Sequence, residues 1–210
     1  MFTFDNLLII LELLGIAAFA VTGAMKAVEK EMDIFGVIVL AIITALGGGF
    51  IRDILMNRLP VSLNSPSYFA AALAGGLVAI PAIQLVHKYF LWINVFDAIG
   101  LALFSITGAV AAMNAGLNFI SVLLLGTMSG IGGGVLRDVL ANDVPLVFRK
   151  EIYALASITG IVGMWLLARI AMLRFSVCVM IGIAIVLAVR LWAVYYNISL
   201  PNIRVKSTEK

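Results

Sequence analysis

The sequence predicts an all-α membrane protein with seven transmembrane helices, arranged as a 3+3 inverted repeat plus one extra helix. The chain of 210 residues is 63% hydrophobic and 12% charged, with a mean hydropathy of +1.16. Soluble domains are about 45–50% apolar and about 25% charged. Residues 59–86 and 98–136 carry no acidic or basic side chain, and uncharged runs of this length are typical of membrane spans of about 20 residues.

The second observation is an internal repeat. Residues 45–55 read ALGGGFIRDIL and residues 130–140 read GIGGGVLRDVL, which is an offset of 85 positions. In the first copy the match runs without a gap from Gly15 to Gly75. Each copy is long and apolar enough for three spans, and an odd number of spans places the second copy upside down in the membrane, as in many transport proteins.

The elements follow from the apolar runs and the short polar segments between them. We expect one transmembrane domain over residues 1–200 and a polar C-terminal tail over 201–210. Repeat one covers 5–87, repeat two covers 93–170, and the extra helix covers 174–196. The predicted spans are 5–27, 33–56, 66–87, 93–114, 118–141, 150–170 and 174–196.

Basic residues between the spans predict the orientation, because cytoplasmic loops carry an excess of Lys and Arg. With the N-terminus outside, the inner segments hold Lys26, Lys30, Lys88, Arg149, Lys150, Arg204, Lys206 and Lys210. The outer segments then hold only Arg58, Arg169 and Arg174. We therefore expect an external N-terminus and a cytoplasmic C-terminus. The net charge of +3 is small, and the basic residues lie mostly between the apolar runs. We therefore interpret them as topology signals and expect no nucleic-acid partner.

Two glycine triplets fall in the middle of the second and fifth spans. They are Gly47, Gly48 and Gly49, and Gly132, Gly133 and Gly134. Three successive glycines favour a broken or kinked helix, and backbone freed at that depth must face protein or a water-filled cavity. Such a break offers carbonyl oxygens to a cation. The alternative is that the glycines only let helices pack closely.

An Arg-Asp pair follows each triplet, Arg52-Asp53 and Arg137-Asp138. Charges inside a membrane are costly unless they are paired or hydrated, and they usually mark a pathway. Neighbouring residues of a helix do not face each other. We therefore expect each arginine to pair with a carboxylate of the opposite repeat and to take part in gating. The alternative is that both pairs only anchor the span ends.

A stripe of residues at helical spacing follows one face of the first and fourth spans. Its members are Glu12, Phe19, Thr22 and Lys26 in the first copy, and Asp97, Phe104 and Thr107 in the second. A carboxylate inside a span attracts a cation, and a large aromatic ring nearby narrows the path. We interpret the stripe as pore lining; the alternative is an end-of-helix acid and a core phenylalanine.

Enzyme signatures are absent from the sequence. It contains no HExxH motif, no Cys/His cluster and no strand-turn-helix context around its glycines. We expect no enzymatic activity, no cofactor and no structural metal.

Two GGGxxRD motifs, in the second and fifth of seven spans, resemble the prokaryotic trimeric intracellular cation channels (TRIC) over residues 5–197. The same bacterial domain has been labelled a glycine transporter. The resemblance implies a homotrimer with kinked second and fifth helices, and a pore in each protomer for monovalent cations, chiefly K⁺ and also Na⁺. The functional residues that the resemblance implies are the glycines, arginines and aspartates of the two motifs, at 47–49, 52–53, 132–134 and 137–138. The chain is short and lacks a long basic tail, so we expect a prokaryotic plasma membrane, the inner one in a Gram-negative cell.

Three functions remain open at this point. The first is a potassium-permeable cation channel surrounded by membrane lipids. The second is a secondary carrier of a small zwitterion such as glycine, since inverted repeats also suit alternating access. The third is a membrane scaffold, which the symmetric intramembrane charges argue against.

Overall fold

The computed structural model describes residues 3–85, 89–149, 152–170 and 173–198. All regular structure within these ranges is helical. The helices are α1 (Phe4–Glu29), α2 (Ile34–Leu55), α3 (Val61–Asn64), α4 (Pro66–Leu85), α5 (Tyr89–Asn114), α6 (Phe119–Leu140), α7 (Leu146–Arg149), α8 (Ile152–Ile170) and α9 (Phe175–Tyr195).

Seven long helices occupy the seven predicted spans. Six of them, α1, α2, α5, α6, α8 and α9, are long and apolar enough to cross a membrane. The third span, α4, contains Pro81, and its segment Pro66–Pro81 is a shorter apolar helix. A membrane protein with six strongly apolar helices is therefore confirmed, and a seventh crossing by α4 stays a prediction. The expected tail at 201–210, Lys88 and Lys150 lie outside the described residues.

The second helix of each repeat begins and ends with the same kind of capping residue. The Asp33 side chain caps α2 by accepting from the amide of Gly36 at 2.7 Å, and the Asn118 side chain caps α6 in the same way. Asn57 and Asn142 follow the two helices with φ of 53° and 56°, a left-handed conformation that asparagine tolerates better than most residues. Equivalent capping residues thus begin and end α2 and α6.

The long helices form two packed units. Helices α1, α2 and α4 contact one another, and so do α5, α6 and α8, while α9 packs on α5 and α8. The units meet where α1 contacts α5 and α2 contacts α6. The contacts there are reciprocal, because Gly15 packs against Phe104 and Gly100 packs against Phe19. Exchange of partners at equivalent positions is the mark of a local two-fold relation between the repeats.

The structure shows no break at the glycine triplets, so the predicted broken or kinked helices are not confirmed. Both α2 and α6 continue as α-helix through 47–49 and 132–134. A methyl group at Gly48 would collide with the backbone oxygen of Ser129, and one at Gly133 would collide with that of Thr44. The physical reason is therefore close approach: without side chains, the two helices cross nearly backbone to backbone.

Candidate functional site

The first cluster of buried charges lies where α1, α2 and α4 meet. The Arg52 Nη1 donates to Glu12 Oε1 at 2.8 Å, and the Arg52 Nε donates to Asp53 Oδ1 at 2.8 Å. The Tyr68 hydroxyl donates to the other Glu12 oxygen at 2.6 Å. Arg52 is 2% exposed and Asp53 is 1% exposed, so each charge depends on these partners.

Asp53 also organises the segment that follows α2. The Arg58 Nη2 donates to Asp53 Oδ1 at 2.6 Å, and the Val61 amide, at the start of α3, donates to Asp53 Oδ2 at 3.0 Å. One carboxylate thus accepts from two arginines and one backbone amide, and it joins the end of α2 to the beginning of α3.

The second cluster repeats this arrangement in α5, α6 and α8. The Arg137 Nη1 donates to Asp97 Oδ1 at 2.8 Å, and its Nε donates to Asp138 Oδ1 at 2.9 Å. The Tyr153 hydroxyl donates to Asp97 Oδ1 at 3.2 Å, and the Leu146 amide donates to Asp138 Oδ2 at 3.0 Å. This cluster is the more deeply buried of the two, since Arg137 is 1% and Asp97 is 0% exposed.

The expected pairing of each arginine with a carboxylate of the opposite repeat is wrong. Arg52 binds Glu12 and Arg137 binds Asp97, each within its own repeat. Each arginine also bonds the aspartate next to it, because the long guanidinium side chain folds back over the helix end. Arg137 does reach the opposite repeat, but its partner there is a hydroxyl: Arg137 Nη1 donates to Thr22 Oγ1 at 3.0 Å.

The two clusters differ in the sign of the charge at one pair of equivalent positions. Where repeat one has Arg58, repeat two has Asp143, and Asp143 binds Lys26 and Lys30 at the end of α1 at 2.5 and 2.7 Å. Hydrogen bonds from Lys26 and then Lys30 lower the pKa of the Asp143 carboxyl to about 2. These ion pairs join the end of α1, in repeat one, to the α6–α7 loop of repeat two.

A cavity opens beside each cluster. The first vestibule has a volume of about 380 Å³ and the second of about 340 Å³. The first is lined among others by Asp5, Glu12, Arg52, Arg58, Thr107 and Asn114. The second is lined among others by Lys26, Glu29, Asn94, Arg137, Asp138, Asp143 and Arg149. Glu12 and Lys26 are 14 positions apart on α1, a rise of about 21 Å, so the vestibules lie at opposite ends of the molecule.

The rings of Phe19 and Phe104 stack between the two vestibules. Their centroids are 5.5 Å apart with an interplanar angle of 10°, and both rings are buried. On α1, Phe19 is seven positions from Glu12 and seven from Lys26, which is about two helical turns each way. The aromatic pair therefore lies midway between the two vestibules.

The predicted stripe thus divides among three places. Glu12 and Thr107 line the first vestibule, and Lys26 lines the second. Asp97 is buried and forms an ion pair with Arg137, which lines the second vestibule. Thr22 donates to the Phe19 carbonyl at 2.9 Å while it accepts from Arg137. Its counterpart Thr107 is 3% exposed, and its hydroxyl has no hydrogen-bond partner among the residues that the structure describes.

Sequence reasoning missed the two tyrosines and Asp143 as site residues. Tyr68 and Tyr153 occupy equivalent repeat positions, and that recurrence of a polar aromatic residue was the available signal. Asp143 carried no such signal, because its counterpart Arg58 has the opposite charge.

A family model described as Glycine transporter matches residues 9–83 and again residues 94–169. The chain belongs to this family. The two matches begin 85 positions apart (94 less 9), the offset of the internal repeat. The UPF0126 inner membrane protein YadS of Escherichia coli K12, a similar protein, is 35% identical over 198 residues, or 91% of this chain and 94% of that protein.

Solved structures similar to this family member are TRIC channels. The TRIC orthologue from Rhodobacter sphaeroides superposes with a TM-score of 0.87 at 30% identity, over 92% of this chain and all (100%) of that one. A TRIC structure solved to explain cation conductance gives a TM-score of 0.83 at 33% identity, over 99% of this chain and 100% of that one. The resemblance to the TRIC family is confirmed, and this family member is a multi-pass membrane protein.

Proposed function

We propose that the chain is a potassium-permeable monovalent cation channel, with one path in each protomer of a homotrimer. The observation that carries the proposal is the aromatic pair Phe19–Phe104 midway between two charged vestibules at opposite ends of α1. The similarity to TRIC cation channels supports it and favours a non-enzymatic role.

The acidic groups of the vestibules supply attraction for cations. Asp5 and Glu12 line the first vestibule, and Glu29 and Asp138 line the second. Acidic rings are typical of cation pores. Arg52 and Arg137 are neutralised by their own carboxylates, and this pairing keeps two buried positive charges from repelling the ion.

The stacked phenylalanines are the barrier in this conformation. Phe104 also borders a small cavity that reaches Glu12 and Arg52, so movement of its ring is coupled to the first charge cluster. Opening requires the two rings to part, because buried apolar side chains exclude a hydrated ion.

The helices α2 and α6 cross at close approach where the glycine triplets lie, and this crossing takes part in the opening movement. Carbonyl oxygens of Ser129 and Thr44 face Gly48 and Gly133 across the α2–α6 contact. We expect α2 and α6 to bend at the triplets when the channel opens, since glycine resists bending least.

Orientation and assembly belong to the same proposal. The two copies lie inverted in a prokaryotic plasma membrane, the inner one in a Gram-negative cell, with the N-terminus outside and the C-terminus cytoplasmic. The similar solved channels are trimeric by name, and three protomers surrounded by lipid would each carry a complete pair of vestibules.

A carrier of glycine is the second candidate, because the matching family model is described as a glycine transporter. Proteoliposomes containing the purified protein distinguish the two. A channel gives K⁺ flux that does not saturate at millimolar concentrations and is indifferent to glycine. A carrier gives saturable glycine uptake with exchange of labelled for unlabelled substrate, and that result would replace the channel proposal.

A further inference from the structure

The buried charges of the two clusters do not balance equally. In repeat one, Arg52 and Arg58 face two carboxylates, Glu12 and Asp53. In repeat two, Arg137 is the one basic side chain of the described residues that pairs with Asp97 and Asp138, and an aspartate takes the position of Arg58. The second cluster therefore has one negative charge in excess, and an uncompensated buried charge is strongly unfavourable.

Helix α9, which has no counterpart in repeat one, brings a basic residue to this place. Arg190 is 1% exposed, and its guanidinium carbon lies 4.7 Å from the centroid of the Tyr153 ring. The sequence suggests that Arg190 extends to the membrane surface, as long basic side chains do. That expectation is wrong, because α9 packs on α8 and buries the side chain against Tyr153.

Unused hydrogen-bonding atoms lie around Tyr153. Within the described residues, the Nε and Nη2 of Arg190 have no hydrogen-bond partner, and neither has Oδ2 of Asp97. Tyr153 contacts both residues, since its ring faces Arg190 and its hydroxyl donates to Asp97 Oδ1. Buried polar atoms are rarely left unpaired, so unpaired donors and an unpaired acceptor around one tyrosine indicate a pairing used in another conformation.

We propose that Arg190 is the counter-charge of the Asp97–Arg137 cluster and a positioning residue for gating. In the closed conformation Arg190 acts on Asp97 through Tyr153. On opening, the Tyr153 side chain turns aside and Arg190 becomes the direct partner of Asp97, so that Arg137 can separate from Asp97. The gating part of this inference rests on the proposed channel function, whereas the charge pairing does not.

A double-mutant cycle tests the charge pairing without any channel assay. Asp97→Asn leaves one positive charge in excess, Arg190→Gln leaves one negative charge in excess, and the double variant is balanced. We expect its loss of melting temperature to be smaller than the sum of the single losses by about 2 °C or more. Additive losses would overturn the inference. If Arg190→Gln alone does not fold, restoration of folding by Asp97→Asn supports the pairing, and failure of both variants overturns it.

Arg169 provides the matched control. It is exposed and lies over the Trp165 ring at 5.0 Å, so Arg169→Gln also removes a cation–π contact. No acidic side chain in the described part of the chain forms an ion pair with Arg169, so its effect should add to that of Asp97→Asn. Coupling as large as that of Arg190 would show a non-specific effect and overturn the inference.

Single-channel recording tests the gating part. Arg190→Gln should lower the open probability several-fold with unchanged unitary conductance, and Arg190→Lys, which keeps the charge, should restore it in large part. An unchanged open probability in Arg190→Gln would overturn the gating role. If the wild-type protein passes no current, the proposed channel function fails, while the double-mutant cycle still decides the charge pairing.

Discussion

Phe19 and Phe104 stack across the local two-fold relation of the repeats, with ring centroids 5.5 Å apart. Each ring also packs against a glycine of the opposite helix, Gly100 for Phe19 and Gly15 for Phe104. A larger residue at either glycine would push the rings out of register. The sequence thus provides both the barrier and the space in which it fits.

Replacing either phenylalanine by alanine should make the channel leak. Phe19→Ala and Phe104→Ala each remove half of the stack, so we expect resting K⁺ flux into proteoliposomes to rise several-fold. Both changes also cost stability, about 3–5 kcal/mol for a buried Phe, so flux is compared per correctly assembled protein. The control is Phe96→Ala on the same helix, which lies beside an apolar groove away from both vestibules. Equal flux from all three variants would argue against the barrier.

Alanine substitutions at two glycines of the α2 triplet, Gly48 and Gly49, should differ in their effect on stability. Gly48→Ala places a methyl group against the Ser129 backbone, whereas at Gly49 the nearest atom, on the Phe104 ring, is 3.9 Å away. We expect Gly48→Ala to cost roughly 1–3 kcal/mol through overpacking. Gly49→Ala should be neutral or stabilising by about 0.5–1 kcal/mol, because alanine favours the helix. Thermal unfolding in detergent measures both, and similar losses would contradict close approach as the reason for the difference between the two positions.

The two acid-arginine pairs should differ in their contribution to stability. Asp97→Asn breaks a fully buried pair and should cost about 3–5 kcal/mol. Glu12→Gln should cost less, because the Glu12 side chain is 13% exposed and water can solvate the arginine that is left. Denaturant titration of the two variants measures the difference. A larger loss in Glu12→Gln would contradict the ranking by burial.

The ion pairs of Asp143 should give an acid-dependent contribution to stability. Because Lys26 and Lys30 lower the pKa of Asp143 from 3.8 to about 2, the stabilisation is complete above its ordinary pKa and is lost as the pH falls towards 2. The difference in melting temperature between wild type and Asp143→Asn should therefore shrink between about pH 5 and pH 2. High salt should shrink it at neutral pH as well. A difference that is constant over this range would exclude the carboxylate as its cause.

Much of the architecture could be predicted because periodic and repeated features carry it. The offset of 85 positions predicted two units of three helices each, with a glycine triplet and an Arg-Asp pair in the second helix of both. The acids Glu12 and Asp97 were identified because an acid recurs at the same repeat position inside an apolar span.

Other features depend on contacts that sequence spacing does not encode. A glycine triplet has the same composition whether it breaks a helix or lets two helices touch, and only the position of Ser129 decides for Gly48. The partner of Arg137 depends on side-chain reach, so neither its bond to Asp138 nor that to Thr22 follows from helical spacing. Arg190 occurs once, outside the repeat, and no symmetry argument could place it.

The most direct test of the central claim is single-channel recording of the purified protein in planar bilayers under a KCl gradient. The account predicts discrete current steps that reverse near the equilibrium potential of K⁺, with a raised open probability in Phe19→Ala. Silent bilayers containing correctly assembled wild-type protein, together with saturable glycine uptake in proteoliposomes, would contradict it and identify the vestibules as the two sides of a substrate site.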